Sequence, residues 1–79
     1  MADTDWHQTD EALERDFEFK DFQAAMWFVN RVAEVAEDRN HHPDILIHGW
    51  NKVRLTLTTH DAGGLTENDH ALAAAIDEL

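Results

Sequence analysis

The hydrophobic pattern switches from alternation to helical spacing at residue 21, and this switch constrains the fold more than any other feature. From Leu13 to Lys20, apolar and charged residues largely alternate, which predicts a half-buried strand. From Phe22 onward the apolar residues follow i, i+3, i+4, i+7 spacing, which predicts an amphipathic helix of about 17 residues. Asp21 is predicted to cap this helix. The predicted apolar stripe comprises Phe22, Ala25, Met26, Val29, Val32, Ala33 and Ala36.

Two further strands are predicted after this helix. Asn40 suits the left-handed residue that ends a helix, and Pro43 prevents the helix from resuming. Ile45 to Trp50 is predicted as a strand, and Gly49 to Lys52 as a hairpin turn. The next strand is predicted from an apolar set that alternates with a polar one. The apolar set is Val53, Leu55 and Leu57, and the polar set is Arg54, Thr56 and Thr58.

The chain is predicted to close with a second helix. Thr66 and the acids after it, Glu67 and Asp69, resemble an N-cap with negative charge in the first turn. The apolar stripe of this helix is expected to be Leu72, Ile76 and Leu79. With a short strand expected around Trp6, the order is strand, strand, helix, strand, strand, helix. We therefore expect residues 1–79 to form a single α+β domain, a four-stranded antiparallel sheet with helices packed on one face.

The size of the chain favours self-association. It has 79 residues and no cysteine, so the core is small and no disulfide can support it. Trp27, Phe28 and Val35 widen the apolar surface of the long helix beyond one stripe. We expect a homo-oligomer, a dimer or a tetramer, in which sheets join at an edge strand. Ile45 to Trp50 is the first candidate for that strand.

The charge and the termini narrow the classes of function. The net charge of −11 argues against direct nucleic-acid binding and against substrates with several phosphates. It predicts a solubilising surface or a protein adapted to a high-salt cytoplasm. No apolar run is long enough to span a membrane, and the first five residues lack the features of an export signal. A cytoplasmic protein with no membrane association is expected.

Three histidines carry the chemistry that the sequence suggests. His41 and His42 lie between the acidic end of the long helix and Pro43, and His60 is expected to continue the polar side of the third long strand. Glu37 lies four residues before His41, so it could orient that imidazole and favour its protonated form. A solvated surface charge is the other interpretation of Glu37, and a loop or capping role is as probable for the adjacent histidines taken alone. Because histidine exchanges protons near neutral pH, the three together favour a proton-transfer site.

Other chemistries fit the chain less well. A zinc site would need His41, His42, His60 and a carboxylate, but there is no cysteine and no helical His pair, so no metal is expected. The chain has no Ser, Cys or Tyr nucleophile, and Gly63-Gly64 lacks the spacing of a phosphate loop. General acid–base chemistry on a small neutral substrate remains.

The chain resembles the pterin-4a-carbinolamine dehydratases, which are also known as the dimerisation cofactor of a homeodomain transcription factor. The resemblance covers nearly the whole chain, and its most specific part is the pair of histidine segments. The matching segments include Arg15–Phe22, Glu37, His41–Asp44, Asn51–Val53, Thr59–Asp61, Gly63–Thr66 and Asp69. The resemblance implies dimers with joined sheets, often tetramers, and removal of water from 4a-hydroxytetrahydropterin to give quinonoid dihydropterin without an external cofactor.

By position, the resemblance makes His41, His42 and His60 the catalytic histidines and Glu37 the supporting acid. Among the matching residues, His42, Asp44, Thr59 and Asp61 are assigned to binding the pterin. We expect His41 and His60 to be the acid–base pair and His42 to hold the substrate. Two other hypotheses stay open: a non-catalytic binding or dimerisation protein that acts on a partner helix, and a metal-binding module.

Overall fold

The computed structural model describes residues 6–79 without the side chain of His60; the first five residues, in which we expect no export signal, lie outside it. Among the described residues, four strands form one antiparallel sheet in the order β1-β2-β4-β3. The α+β prediction is therefore confirmed. In chain order the elements are β1 His7–Gln8, β2 Leu13–Glu18, α1 Phe22–Arg39, β3 Asp44–His48, β4 Lys52–Leu57, a 3₁₀ turn His60–Ala62 and α2 Glu67–Asp77.

The register of the sheet separates an apolar face from a polar one. In β2 and β4, Leu13 lies opposite Leu57 and Phe17 opposite Val53, on the face that the helices cover. Asp16 lies opposite Arg54 on the other face, and their side chains pair at 2.8 Å. The buried apolar cluster under the helices comprises Leu13, Ala25, Phe28, Val32, Val53, Leu55, Leu57, Leu72, Ala73 and Ile76. The helices therefore pack on one face, as predicted.

Both predicted helix starts are confirmed. The Asp21 carboxylate accepts a 2.7 Å hydrogen bond from the backbone N–H of Ala24, and α1 runs for 18 residues. Thr66 caps α2 in a capping box whose N3 residue is Asp69. Asn51 is buried, and its side-chain amide donates to the backbone oxygen of Phe19 at 2.8 Å. That bond ties the β3–β4 hairpin to the end of β2.

Four predictions about the helices are wrong in detail. Phe28 does not widen the outer surface of α1, because its ring lies 4.6 Å from that of Phe17 in the core. Phe22 and Ala33, placed on the stripe by their spacing, are exposed. Leu79 is also exposed, because α2 ends at Asp77.

The predicted extension of β4 to His60 is wrong as well. The strand ends at Leu57, and the 3₁₀ turn begins at His60. The backbones of Thr59 and Gly64 exchange two hydrogen bonds of 3.2 Å, which close the loop between them. Gly64 lies against β1–β2, where a Cβ would come within 3.3 Å of the backbone oxygen of Asp10. The chain has thus left the sheet before the bridge between Thr59 and Gly64, so strand alternation does not extend to His60.

None of the helices in residues 6–79 is long and apolar enough to cross a membrane.

Candidate functional site

The end of α1 determines where the adjacent histidines point. Asn40 has φ 52 and ψ 41, the left-handed conformation, so the helix ends there. The backbone N–H of Asn40 donates to the oxygen of Glu37 at 3.2 Å, and that of His41 donates to the oxygen of Ala36 at 3.1 Å. This is the Schellman arrangement, which reverses the direction of the chain. His41 consequently leaves the surface of α1 and turns toward the start of α2.

The imidazole of His41 is held by the carboxylate of Asp69. His41 Nε2 lies 2.6 Å from Asp69 Oδ1, and the Asp69 side chain is 0% exposed. The second oxygen, Oδ2, accepts hydrogen bonds from the Thr59 hydroxyl at 2.7 Å and from the Thr66 backbone N–H at 2.9 Å. One buried carboxylate therefore connects the end of α1, the end of β4 and the start of α2.

The charge on Asp69 follows from these contacts. Burial raises the pKa of the carboxyl, but the hydrogen bonds from His41, Thr59 and Thr66 outweigh it, so the pKa of Asp69 lies below its ordinary 3.8. Asp69 is thus ionised at neutral pH and can only accept hydrogen bonds. The proton of a neutral His41 must then be on Nε2, which leaves the Nδ1 lone pair available as a base.

Glu37 contacts His42, not His41. Glu37 Oε2 lies 2.7 Å from His42 Nε2, and the two side chains are 78% and 55% exposed. The predicted Glu37–His41 pair is wrong, because the left-handed residue at Asn40 ends the helical spacing on which the prediction rested. An exposed pair of this kind contributes little to stability. Glu37 therefore orients His42 near the solvent.

An open cleft of about 260 Å³ brings several of the predicted residues together. Its lining residues are Asn40, His41, His42, Thr58, Thr59 and Asp61. Glu37 adjoins this cleft through its bond to His42. The backbone of His60 lies between Thr59 and Asp61, two of the lining residues.

Asp44 does not line the histidine cleft. It lines a neighbouring cleft of about 470 Å³ on the other side of Thr58, together with Glu11 and Gly64. The hydroxyl of Thr59 is bonded to Asp69, so Thr59 positions the carboxylate. Of the residues assigned to pterin binding, the structure thus places His42 and Asp61 at the cleft with free access, and Asp44 outside it.

Residue patterns alone do not single out Asp69, the buried partner of His41. They predict the segment from Thr66 to Asp69 only as a helix start, although Asp69 is among the residues that carry the family resemblance. The sequence nevertheless contains a signal. Asp69 precedes Leu72, Ala73 and Ile76 at helical spacing, so an acid occupies the buried stripe of α2. An acid on a buried stripe requires partners.

No group of three or more His, Asp or Glu side chains that could hold a metal occurs among the described side chains. The expected absence of a metal stays a prediction, which metal analysis of protein purified without added metal tests.

The fold and the site together define an α+β protein with a carboxylate-held histidine at an open cleft. The family model for pterin 4 alpha carbinolamine dehydratase matches residues 1–79. A relative from Acidobacterium capsulatum, named "Putative pterin-4-alpha-carbinolamine dehydratase", is 60% identical over 74 residues, covering 94% of this chain and 79% of its own. A protein of the same name from Thermomicrobium roseum is 57% identical over 74 residues, covering 94% and 78%. The chain belongs to the pterin-4a-carbinolamine dehydratase family.

Solved structures agree with this membership. The crystal structure of a transcriptional coactivator/pterin dehydratase from Brucella melitensis has a TM-score of 0.85 at 38% identity, covering 94% of this chain and 80% of its own. A pterin dehydratase-like protein identified as a RuBisCO assembly factor in the alpha-carboxysome has a TM-score of 0.73 at 24% identity, covering 92% and 83%. The second likeness concerns the fold alone.

Proposed function

We propose that this protein removes water from a 4a-hydroxytetrahydropterin to give the quinonoid dihydropterin, by histidine acid–base catalysis and without an external cofactor. Family membership supports the reaction class. The observation that carries the proposal is the His41–Asp69 pair, with Nε2 and Oδ1 2.6 Å apart, at the cleft that His42 also lines.

In this mechanism His41 is the base. The reaction breaks the bond from C4a to the hydroxyl oxygen and removes a proton from a ring nitrogen. Because Asp69 binds the Nε2–H of His41, Nδ1 is free to accept that proton. The ionised carboxylate then stabilises the imidazolium that forms. Proton transfer by a positioned side chain contributes typically about 10²–10⁴-fold to a rate.

His60 is assigned as the acid that protonates the departing hydroxyl. It lies next to Thr59, whose hydroxyl donates to Asp69 at 2.7 Å, so the backbone carries His60 to the region of the same cleft. The acid gives one proton and the base takes one, so the enzyme is restored when the histidines exchange protons with water.

His42 and Asp61 are proposed to hold the pterin. His42 is half exposed at the cleft and can reorient on substrate, with Glu37 limiting its motion. Thr59 acts through Asp69. We do not assign Asp44 to the pterin, because it lines the neighbouring cleft.

The proposed partners follow from charge and size. A net charge of −11 favours a small neutral pterin over nucleic acid, and the small core favours a homo-oligomer, dimer or tetramer, in the cytoplasm. Comparing the turnover of pterins that differ at C6 would identify the physiological substrate.

The decisive assay is dehydration of enzymatically generated 4a-hydroxytetrahydropterin by wild type and by His41→Ala, His42→Ala and His60→Ala. We expect the His41 and His60 variants mainly to lower kcat and the His42 variant mainly to raise KM. The His41/His60 double variant should be little worse than the poorer single one, because the two act as a unit. A wild type that does not exceed the uncatalysed rate would exclude the proposal, and a His42 variant with normal KM and collapsed kcat would reverse the assignment.

A binding role without turnover is the second candidate. The ring of Trp27 is 60% exposed on α1, and a groove of about 390 Å³ lies between α1 and α2, lined by Val35 and Ala71 among others. An amphipathic helix of a partner protein could occupy such a groove. Wild-type protein that lacks turnover, with an Ala71→Arg variant that blocks the groove and loses a partner, would favour this candidate.

A further inference from the structure

The hydroxyl of Thr66 has a second contact in addition to the cap of α2. Its oxygen accepts a hydrogen bond of 3.3 Å from the backbone N–H of Asn68, the usual contact of a residue at a helix start. The same oxygen lies 2.9 Å from the hydroxyl oxygen of Thr59, which follows β4. A cap needs only an acceptor, so capping does not account for this second contact.

The charge of Asp69 fixes which hydroxyl donates. The ionised carboxylate can only accept, so the Thr59 hydroxyl donates its proton to Asp69 Oδ2 over 2.7 Å. A hydroxyl carries a single proton, so Thr59 must accept in its contact with Thr66, and Thr66 must donate. The hydrogen bonds therefore run one way, from the start of α2 through Thr66 and Thr59 to Asp69.

The reverse direction conflicts with the same distances. If Thr59 donated to Thr66, lone pairs of the Thr59 oxygen and of Asp69 Oδ2 would face each other at 2.7 Å. The Asp69 side chain is 0% exposed, and a buried charged group that loses a hydrogen bond is strongly destabilising.

We infer that Thr66 is a positioning residue for His41, the proposed base. Its hydroxyl holds the Thr59 proton on Asp69 Oδ2, and the carboxylate thereby keeps Oδ1 on the imidazole. The lining of the histidine cleft comprises other described residues, so Thr66 acts through Thr59 and Asp69. The inference deepens the proposed function and rests on it for its effect on turnover.

The two oxygens of Asp69 have different partners. Oδ2 accepts from the Thr59 hydroxyl at 2.7 Å and from the Thr66 backbone N–H at 2.9 Å. Oδ1 lies 2.6 Å from His41 Nε2. Two donors on Oδ2 limit the rotation of the carboxylate, so Oδ1 stays directed at the imidazole. Because hydrogen bonds in a chain polarise one another, the bond from Thr66 also strengthens the bond that Thr59 donates.

Only a hydroxyl can both cap α2 and donate to Thr59 from one atom. Aspartate, asparagine, serine, threonine and glycine all serve as N-cap residues, and threonine and glycine do so about equally well. Among these, serine and threonine alone accept and donate at the same atom. Thr66→Ser should therefore keep the contact with Thr59, whereas Thr66→Gly should remove it and still allow the helix to start. The two variants separate positioning from capping.

Dehydration of 4a-hydroxytetrahydropterin gives the first readout. We expect Thr66→Gly to lower kcat about 3–10-fold, the effect of losing one hydrogen bond, and to keep KM within about twofold of wild type. Thr66→Ser should keep kcat within about twofold of wild type. A Thr66→Gly protein with the kcat of wild type would overturn the inference, and so would a Thr66→Ser protein as slow as Thr66→Gly.

The matched control is Asp21→Gly, at the start of the other helix. The Asp21 carboxylate caps α1 by accepting from the backbone N–H of Ala24 at 2.7 Å. This variant loses a cap without loss of a contact to the site, so its kcat should equal that of wild type. A loss of kcat as large as that of Thr66→Gly would mean that any weakened helix start slows the enzyme, and the inference would fail.

A double-mutant cycle tests the path from Thr66 to the carboxylate. Thr59→Val nearly keeps the shape of the side chain but has no hydroxyl. In a Thr59→Val protein, Thr66→Gly should lower kcat no further, because Thr66 acts through the Thr59 hydroxyl. Losses of kcat that multiply in the double variant would show that Thr66 acts by another route and would refute the inference.

Exchange of the His41 Nε2–H proton with water, followed by NMR, tests the positioning without turnover. We expect equally slow exchange in wild type and Thr66→Ser, and exchange at least about threefold faster in Thr66→Gly, because a loosened carboxylate releases the proton more often. Equal exchange in all three proteins would overturn the inference. The expected exchange pattern in a wild type that lacks dehydratase activity would support the hydrogen-bond chain and exclude only the proposed function.

Discussion

Replacing the Asp69 carboxylate by an amide tests the central contact of the site. Asparagine keeps the shape of the side chain but replaces one acceptor oxygen by a donor NH₂ group. If that group faces His41, Nε2 must accept, and the imidazole proton moves to Nδ1. Nδ1, the proposed base, then has no lone pair. We expect Asp69→Asn to lower kcat about 10²–10⁴-fold, the usual contribution of a positioned acid or base.

The cost in stability follows from the same contacts. Asp69 accepts three hydrogen bonds of 2.6, 2.7 and 2.9 Å at a site with 0% exposure. Losing the charge should cost about 1.5–3 kcal/mol, the value of one hydrogen bond to a charged group, because the amide retains one acceptor. A domain of this size has a stability of roughly 4–12 kcal/mol, so the variant should stay folded with a Tm lower by roughly 10 °C.

The pH dependence has a definite sign. The pKa of Asp69 is lowered in the folded protein, so its ionised form stabilises the fold above the ordinary value of 3.8, and this stabilisation is lost as the pH falls through the lower folded value. The difference in unfolding free energy between wild type and Asp69→Asn should thus be full at pH 7 and shrink below about pH 4. Urea titrations at both pH values measure it.

The matched control is Asp77→Asn. Asp77 lies on the same helix and accepts hydrogen bonds from Trp6 at 2.8 Å and Arg15 at 2.7 Å, at the opposite end of α2 from His41. This variant should lose stability and keep its kcat. An Asp69→Asn protein with unchanged kcat, or a stability difference that does not vary with pH, would refute the role given to the carboxylate.

Three further predictions concern other parts of the molecule. Glu37→Gln should change the unfolding free energy by less than about 1 kcal/mol, because the pair of Glu37 with His42 is exposed. The variant should raise KM, and an unchanged KM would show that Glu37 is only a surface charge. Asn51→Ala should cost about 1–3 kcal/mol by leaving the backbone oxygen of Phe19 without its 2.8 Å bond, as a denaturant titration would show. With a net charge of −11, the Tm should rise between low salt and molar KCl, and a flat response would exclude adaptation to high salt.

The parts of the fold that depend on local chemistry were predictable from the sequence. Asp21 and Thr66 can accept the free N–H groups of a helix start wherever the rest of the chain lies, and both do so. Asn40 tolerates the left-handed conformation, and α1 ends there. Alternation in β2 and β4 fixed the face of each side chain, because a strand in an antiparallel sheet buries one side.

The contacts within the site were not predictable in the same way. Helical spacing predicts a contact between Glu37 and His41. Asn40, a single left-handed residue between them, redirects the chain, so helical spacing no longer tells where the His41 side chain points. His41 instead contacts Asp69, which is 28 residues away. After Leu57, Gly64 comes close to the backbone of Asp10, a tertiary contact with no local signal.

The same carboxylate caps α2 and holds His41, and this explains why residue 69 is aspartate. A capping box usually carries glutamate or glutamine at N3, since only the backbone N–H of the N-cap residue must be reached. Here the carboxylate must also meet Thr59 at 2.7 Å and His41 at 2.6 Å in a site without exposure. One more methylene would overfill that site and move both oxygens away from their donors. The contact with His41 therefore requires the short side chain of aspartate at residue 69, whereas the helix cap alone would accept the longer glutamate.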